Sequence, residues 1–187
     1  MKTPEQLADL YYKSVGRNAT FLLNFPVDRE GRVNAIDSAN AVRFCQLIKE
    51  DLKTNLLRKT KVTASSERGK KFSAKKLTDR KWDTYWATPD GENTGSVTFT
   101  FSKATQVNRL LLQEYIPLGQ RVKAFFVEAF VAGKWQRIDA GEETTTIGYK
   151  RILRFPAIEA TAIRVNVTDA RGPLCICNIE AYLAKTK

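Results

Sequence analysis

The hydrophobic rhythm of the chain changes near residue 58. Before it, Leu7, Leu10, Tyr11 and Val15 recur at the spacing that gathers apolar side chains on one helix face. Thr3 is a fitting N-cap for that helix, Pro4 suits its first position, and Gln6 completes a capping box. Gly16 suits its stop. The run Ala19-Thr20-Phe21-Leu22-Leu23-Asn24, bounded by Asn18 and Pro26, predicts a short strand buried on both faces, as in parallel sheets. Pro26 to Asn34 reads as loop, with Gly31 at a turn. Asp37 or Ser38 is expected to cap a second helix whose inner face carries Val42, Cys45, Ile48, Leu52 and Leu56. Helix, strand, helix is a piece of α/β architecture. One strand makes no sheet, so its neighbours are expected to be missing from this chain.

From Lys61 onward short runs of Val, Ile, Thr and Phe alternate with turn signals. The expected strands are Lys61–Ser66, Gly95–Ser102, Gln106–Tyr115, Val122–Val131, Lys134–Asp139, Thr144–Ile147, Lys150–Phe155, Ala162–Thr168 and Cys175–Leu183. Alternation is clear in Val97-Thr98-Phe99-Thr100-Phe101 and in Ile163-Arg164-Val165-Asn166-Val167. Evenly spaced short strands predict a β-sandwich. The expected division is residues 1–58 as the α/β piece and 59–187 as the sandwich domain. The fold class is mainly β.

Composition narrows the chemistry. The 187 residues are 43% hydrophobic and 27% charged, which is globular rather than disordered. No apolar run reaches the roughly 18 residues of a membrane span, and no signal peptide is expected behind Met1-Lys2-Thr3. The chain has no histidine, which removes a His–Ser or His–Cys catalytic pair, a His-ligated zinc and a histidine pH switch. Cys45, Cys175 and Cys177 form no C-x-x-C pair and read as small buried hydrophobes. Lys and Arg exceed Asp and Glu by 31 to 20, a net charge of +11 that suits polyanions. The basic runs crowd Arg58–Lys76, yet that stretch holds one aromatic, Phe72, and no nucleic-acid motif, so no nucleic-acid partner is expected. Phe72, Trp82 and Ile116 are isolated along the chain and form no lipid-inserting cluster.

Leu77-Thr78-Asp79-Arg80-Lys81-Trp82-Asp83-Thr84-Tyr85-Trp86 resembles the L-x-D-G-x-x-x-T-x-W signature of discoidin-like domains, also called coagulation factor five/eight C-type domains. Many of these are carbohydrate-binding modules of family 32. Gln113–Val122 leading into Phe125-Phe126-Val127-Glu128, and the closing Cys177-Asn178-Ile179-Glu180-Ala181-Tyr182, extend the likeness over residues 61–184. Ser14-Val15-Gly16-Arg17-Asn18 through Leu22-Leu23-Asn24-Phe25-Pro26, with Asp28, Gly31 and Asp37, resembles the last barrel strand of family 29 α-L-fucosidases. Thr146-Ile147-Gly148-Tyr149-Lys150-Arg151 resembles the sandwich that follows the barrel in those enzymes.

The resemblance implies a discoidin-like jelly-roll β-sandwich preceded by a helix–strand–helix α/β remnant, the C-terminal third or so of a fucosidase. Retaining enzymes of that kind use two carboxylates, and the resemblance puts these and the fucose-holding histidines on earlier barrel strands. The chain alone is therefore expected to be inactive. Asp79, Asp83, Asp90, Glu92 and Glu114 offer carboxylates, but nothing selects a pair. The expected role is an accessory, carbohydrate-binding region for fucose- or galactose-containing glycan, or a structural buttress of the catalytic barrel. The candidate sugar site is Trp82, Glu114, Tyr115, Arg121, Tyr149 and Arg151: an aromatic platform with polar groups for hydroxyls. The resemblance also implies a structural Ca²⁺, with Asp79, Thr84 and Glu180 as side-chain ligands and Lys76 and Lys81 giving backbone carbonyls. Arg80 stands where the signature has glycine. The chain is expected to be a monomer, and a parent enzyme to be periplasmic or secreted.

Overall fold

The computed structural model describes residues 2–186. Helices α1 (Pro4–Ser14) and α2 (Ala35–Asp51) precede strands β1 (Lys61–Ala64), β2 (Trp86–Ala87), β3 (Gly95–Glu114), β4 (Val122–Val131), β5 (Lys134–Arg137), β6 (Arg151–Ala170) and β7 (Cys175–Tyr182). The capping box of α1 forms as its sequence implies: Gln6 N donates to Thr3 Oγ1 at 3.3 Å, and Thr3 N donates to Gln6 Oε1 at 3.0 Å.

β3 and β6 decide the architecture. Each runs 20 residues, and each absorbs two of the strands expected from sequence. Their mutual pairing breaks between Thr100 and Thr105 and again between Val107 and Arg109. Such irregularities bend strands, so each passes from one layer into the other. In the first layer the N-terminal half of β3 lies between β1 and the C-terminal half of β6, followed by β4 and β5. In the second, Arg109–Glu114 of β3 lies between the start of β6 and β7, with β2 beyond β7. Every pairing is antiparallel. Val97, Phe99, Ile163 and Val165 from the first layer share one core with Leu110, Leu112, Ile176 and Ile179 from the second. Trp86 is fully buried in that core, and its indole donates to Ser66 O at 2.9 Å. Thr144–Ile147 is not a strand; it is tied beside β4 by the mutual bonds of Thr144 and Phe125, while Ile147 fills the core.

The strand expected at Ala19–Asn24 is also absent: these residues are irregular. Phe21 and Leu23 turn inward against Phe44, whereas Leu22 is 81% exposed. The run is apolar on both sides, but among the described residues no strand pairs with it. α2 is capped by Asn34, whose Oδ1 accepts from Ile36 N at 2.9 Å, and not by Asp37 or Ser38. Asp37 instead sits buried in the first turn, where the helix dipole favours a carboxylate. The inner face of α2 follows Asp37, Phe44 and Asp51, with Ile48 half-buried alongside, so Val42 and Cys45 are exposed. Cys175 and Cys177 are buried and unpaired, and burial pushes the Cys177 thiol up to about 11.

The helices pack on the outer face of the second layer. Tyr12 of α1 meets Leu111, Ile152 and Tyr182, with Tyr11, Ile48 and Leu52 alongside. Asp51 at the end of α2 fastens the contact. It accepts from Tyr12 Oη at 3.0 Å, from Lys185 N at 2.9 Å, and from the Thr186 backbone and hydroxyl. Burial, then the Asp51 charge, raise the Tyr12 phenol to about 12. The sandwich core itself reaches back to Leu56 and Leu57, and Leu56 N donates to Ala181 O.

Because removing a buried carboxylate orphans the donors around it, Asp51→Ala is expected to cost about 2–4 kcal/mol in urea unfolding at neutral pH. A loss below about 1 kcal/mol would mean that Asp51 does not fasten the helices to the sandwich.

Candidate functional site

The six residues expected to form one sugar site divide among three environments. Glu114 is only 3% exposed. Its Oε1 accepts from Arg121 N at 2.7 Å and Val122 N at 3.0 Å, and its Oε2 accepts from Gly148 N at 2.7 Å. The carboxylate is consumed by backbone and presents nothing to a ligand. The Arg121 side chain donates to Leu118 O at 3.2 Å and Pro173 O at 2.8 Å, closing the same loop. Tyr115 stacks on Tyr85 with ring centres 4.4 Å apart and planes 17° from parallel, and Tyr85 in turn meets Phe72.

Arg151 and Tyr149 belong to the junction with the N-terminal segment. Arg151 is buried, donates to Glu143 O at 2.8 Å, and lies 3.1 Å from Glu142, which Arg17 also reaches at 2.7 Å. Burial pulls its guanidinium below the usual arginine value, with Glu142 opposing that shift. Tyr149 N donates to Asn18 Oδ1 at 2.7 Å, leaving the Tyr149 ring exposed. Asn18 adopts φ 65 and crowds Gly148, where an added Cβ would stand 2.4 Å from Asn18 Nδ2. Ile152 N donates to Gly16 O at 2.8 Å. The Gly16-Arg17-Asn18 run is thus a seam that stitches the helices to β6. The physical role of these three residues is attachment.

Trp82 alone of the six lines a cleft. It is 70% exposed on the loop after Asp79. The cleft measures about 360 Å³ and lies on that part of the second layer's outer face that the helices leave open. Leu111, Gln113, Asn178 and Glu180 form its floor. Arg80, Lys81 and Trp82 stand on one side, Lys150 and Leu52 also line it. The floor is pre-organised: Asn178 Nδ2 donates to Gln113 Oε1 at 2.9 Å, Gln113 Nε2 donates to Tyr149 O at 2.9 Å, and Tyr182 Oη donates to Glu180 Oε2. A volume of this size, with a few fixed polar groups and one aromatic, suits a small ligand. The sequence groups Gln113 with Glu114, Tyr115 and Arg121 in one polar–aromatic cluster; its adjacency to Asn178 arises instead from the β3–β7 register, which no local pattern reveals.

Of the expected Ca²⁺ ligands, Asp79 and Thr84 meet directly. Asp79 Oδ1 accepts from Lys81 N at 2.9 Å and from Thr84 Oγ1 at 3.0 Å, and Oδ2 lies 3.6 Å from Lys76 Nζ. Asp79 is therefore an Asx-type loop cap with a lysine for a counter-ion. Glu180 is engaged by Tyr182. Among the described residues no group of three or more Cys, Asp or Glu side chains could hold a metal. A divalent site needs several hard oxygens. Here one carboxylate, already hydrogen-bonded, faces an ammonium, so a Ca²⁺ ion would have to displace Lys76 and draw most of its oxygens from backbone carbonyls.

The F5/8 type C domain model matches residues 61–181 of the sequence. The chain belongs to the F5/8 type C domain family. Alpha-L-fucosidase 1 of Arabidopsis thaliana is 34% identical over 190 residues, covering 98% of this chain and 37% of its own length. A Bacteroides thetaiotaomicron crystal structure assigned to the alpha-L-fucosidases is 36% identical with TM-score 0.94, covering 98% of this chain and 40% of that one. A Ruminococcus gnavus GH29 fucosidase solved with fucose is 33% identical with TM-score 0.90, over 98% and 37%. The F5/8 type C chain thus spans well under half the length of these relatives, and its likeness to them includes the helices as well as the sandwich.

For a Ca²⁺-free loop, millimolar Ca²⁺ and EDTA are expected to leave the melting temperature within about 1 °C of each other. A rise of several degrees with Ca²⁺ would show that Lys76 yields its place to the metal.

Proposed function

We propose that this chain is the C-terminal accessory region of a fucosidase-like glycoside hydrolase, and that its cleft binds carbohydrate. The observation that carries the reading is the cleft at Trp82. An exposed indole beside amides fixed by hydrogen bonds offers a pyranose both an apolar face and partners for its hydroxyls. Such a site holds glycan near a catalytic barrel, and tethering makes even weak affinity useful. On this reading the chain alone hydrolyses no fucoside. Retaining chemistry needs two carboxylates about 5 Å apart, and the cleft is lined by one, Glu180, which Tyr182 engages.

A second observation favours a bracing role alongside. Leu22, Val27, Val33, Ile36 and Val42 are exposed large apolar residues in one N-terminal stretch. The longer fucosidases that match this chain carry further residues that could cover such a surface. Glu114, Arg151 and Asn18 then serve to hold that surface rigidly on the sandwich.

Calorimetry and a glycan array test the reading. Binding with a Kd on the order of 0.1–1 mM, about 4–5.5 kcal/mol, is expected and should be lost in Trp82→Ala with folding intact. Absence of any Trp82-dependent glycan binding would leave bracing as the sole function.

A further inference from the structure

The charges around the cleft say more about its ligand than the platform does. Arg80, Lys81 and Lys150 all line it, and none has an ion-pair or side-chain hydrogen-bond partner among the described residues. The opposing carboxylate is Glu180 alone, and a tyrosine hydroxyl already occupies one of its oxygens. Asp79 is turned toward Lys76 and Thr84, and Asp83 does not line the cleft. Three unpaired cations around one small concave site concentrate a positive field there, more than the same charges spread on a convex surface would.

Arg80 adds an independent observation. Its φ is 64, in the left-handed region where a side chain is strained and glycine is not. An arginine here disfavours the loop's own conformation, yet it puts a guanidinium at the cleft. Strain held at a cleft-lining residue points to a use for the side chain beyond folding.

We propose that the cleft selects an acid-bearing sugar: a pyranose that packs on Trp82 while its carboxylate or sulfate is held among Arg80, Lys81 and Lys150. This rests on the carbohydrate-binding reading of the same cleft and names its ligand class. A planar guanidinium matches the paired oxygens of a carboxylate or sulfate, and the two lysines add charge without directional demand.

The test uses the whole chain and defined oligosaccharides in three arms: uronate-containing, sulfated, and neutral fucosylated or galactosylated. Calorimetry is run at about 50 and 300 mM NaCl, a range over which exposed charge pairs are progressively screened. At least one acidic arm is expected to bind about tenfold or more tightly than the neutral arm, with affinity falling several-fold at the higher salt. The stronger acidic arm identifies the acid as carboxylate or sulfate. Arg80→Gly provides the sharpest readout: it should raise the melting temperature by relieving the strained φ while weakening acidic-sugar binding about tenfold. Trp82→Ala should remove binding to both classes. Neutral glycans bound as tightly as acidic ones, and lost in Trp82→Ala, would overturn the acid-selective proposal but leave the carbohydrate site intact. Acidic oligosaccharides bound equally by the parent chain and Trp82→Ala would show a diffuse basic surface and overturn both readings. Arg80→Gly that stabilises the chain without changing acidic-sugar affinity would also overturn the proposal.

Discussion

Three backbone N–H groups converging on the buried carboxylate of Glu114 hold together everything that follows. Arg121 N and Val122 N fix the loop leading into β4, and Gly148 N fixes the turn leading into β6. A buried carboxylate is costly unless its lone pairs are filled, and hydrogen bonds to it are stronger than those between neutral groups. The turn that Glu114 holds is the turn on which Asn18 docks. Through that seam the position of α1 and α2 against Leu111, Ile152 and Tyr182 is set. The same helices leave the cleft open at its far end, where Leu52 lines it. A residue that looks like ligand chemistry in the sequence is therefore a strut of the junction between sandwich and helices.

The sandwich thus divides its polar residues between two tasks. At the N-terminal seam, Glu142, Arg17 and Arg151 form a partly buried ion cluster, and Asn18 and Gly148 interlock. At the cleft, polar groups are fixed but the cations are left unpaired. Buried groups held by their neighbours serve geometry; exposed cations without partners around a concavity remain available to a ligand. Tyr115 and Arg121 fall on the first side of that line and Trp82 on the second, although the sequence resemblance groups them together.

Much of the fold was legible because it rests on local signals. The Thr3–Gln6 capping box and the alternation in Val97–Phe101 follow from spacing alone. What was not legible depends on contacts far apart in sequence. β3 and β6 bend through both layers as single strands, and polar residues at the bend read as loop. Ala19–Asn24 has the composition of a strand but lacks a pairing partner here, so its backbone stays irregular. Spacing points to Val42 and Cys45 for the inner face of α2, but Phe44 occupies it, because α1 and Phe21 pack there. At the site, Trp82 was legible as an aromatic in a polar loop, and the positive φ of Arg80 accords with the glycine that the resembled signature has there. The Gln113–Asn178 floor arises from strand register, which residue identity does not announce.

The most direct measurement is a crystal structure of the chain with an acid-bearing oligosaccharide. The account predicts a pyranose ring packed on Trp82, with its acidic group among Arg80, Lys81 and Lys150 and a hydroxyl within hydrogen-bond distance of Gln113 or Asn178. A sugar seated instead at Tyr115 and Arg121, with the cleft empty, would contradict it.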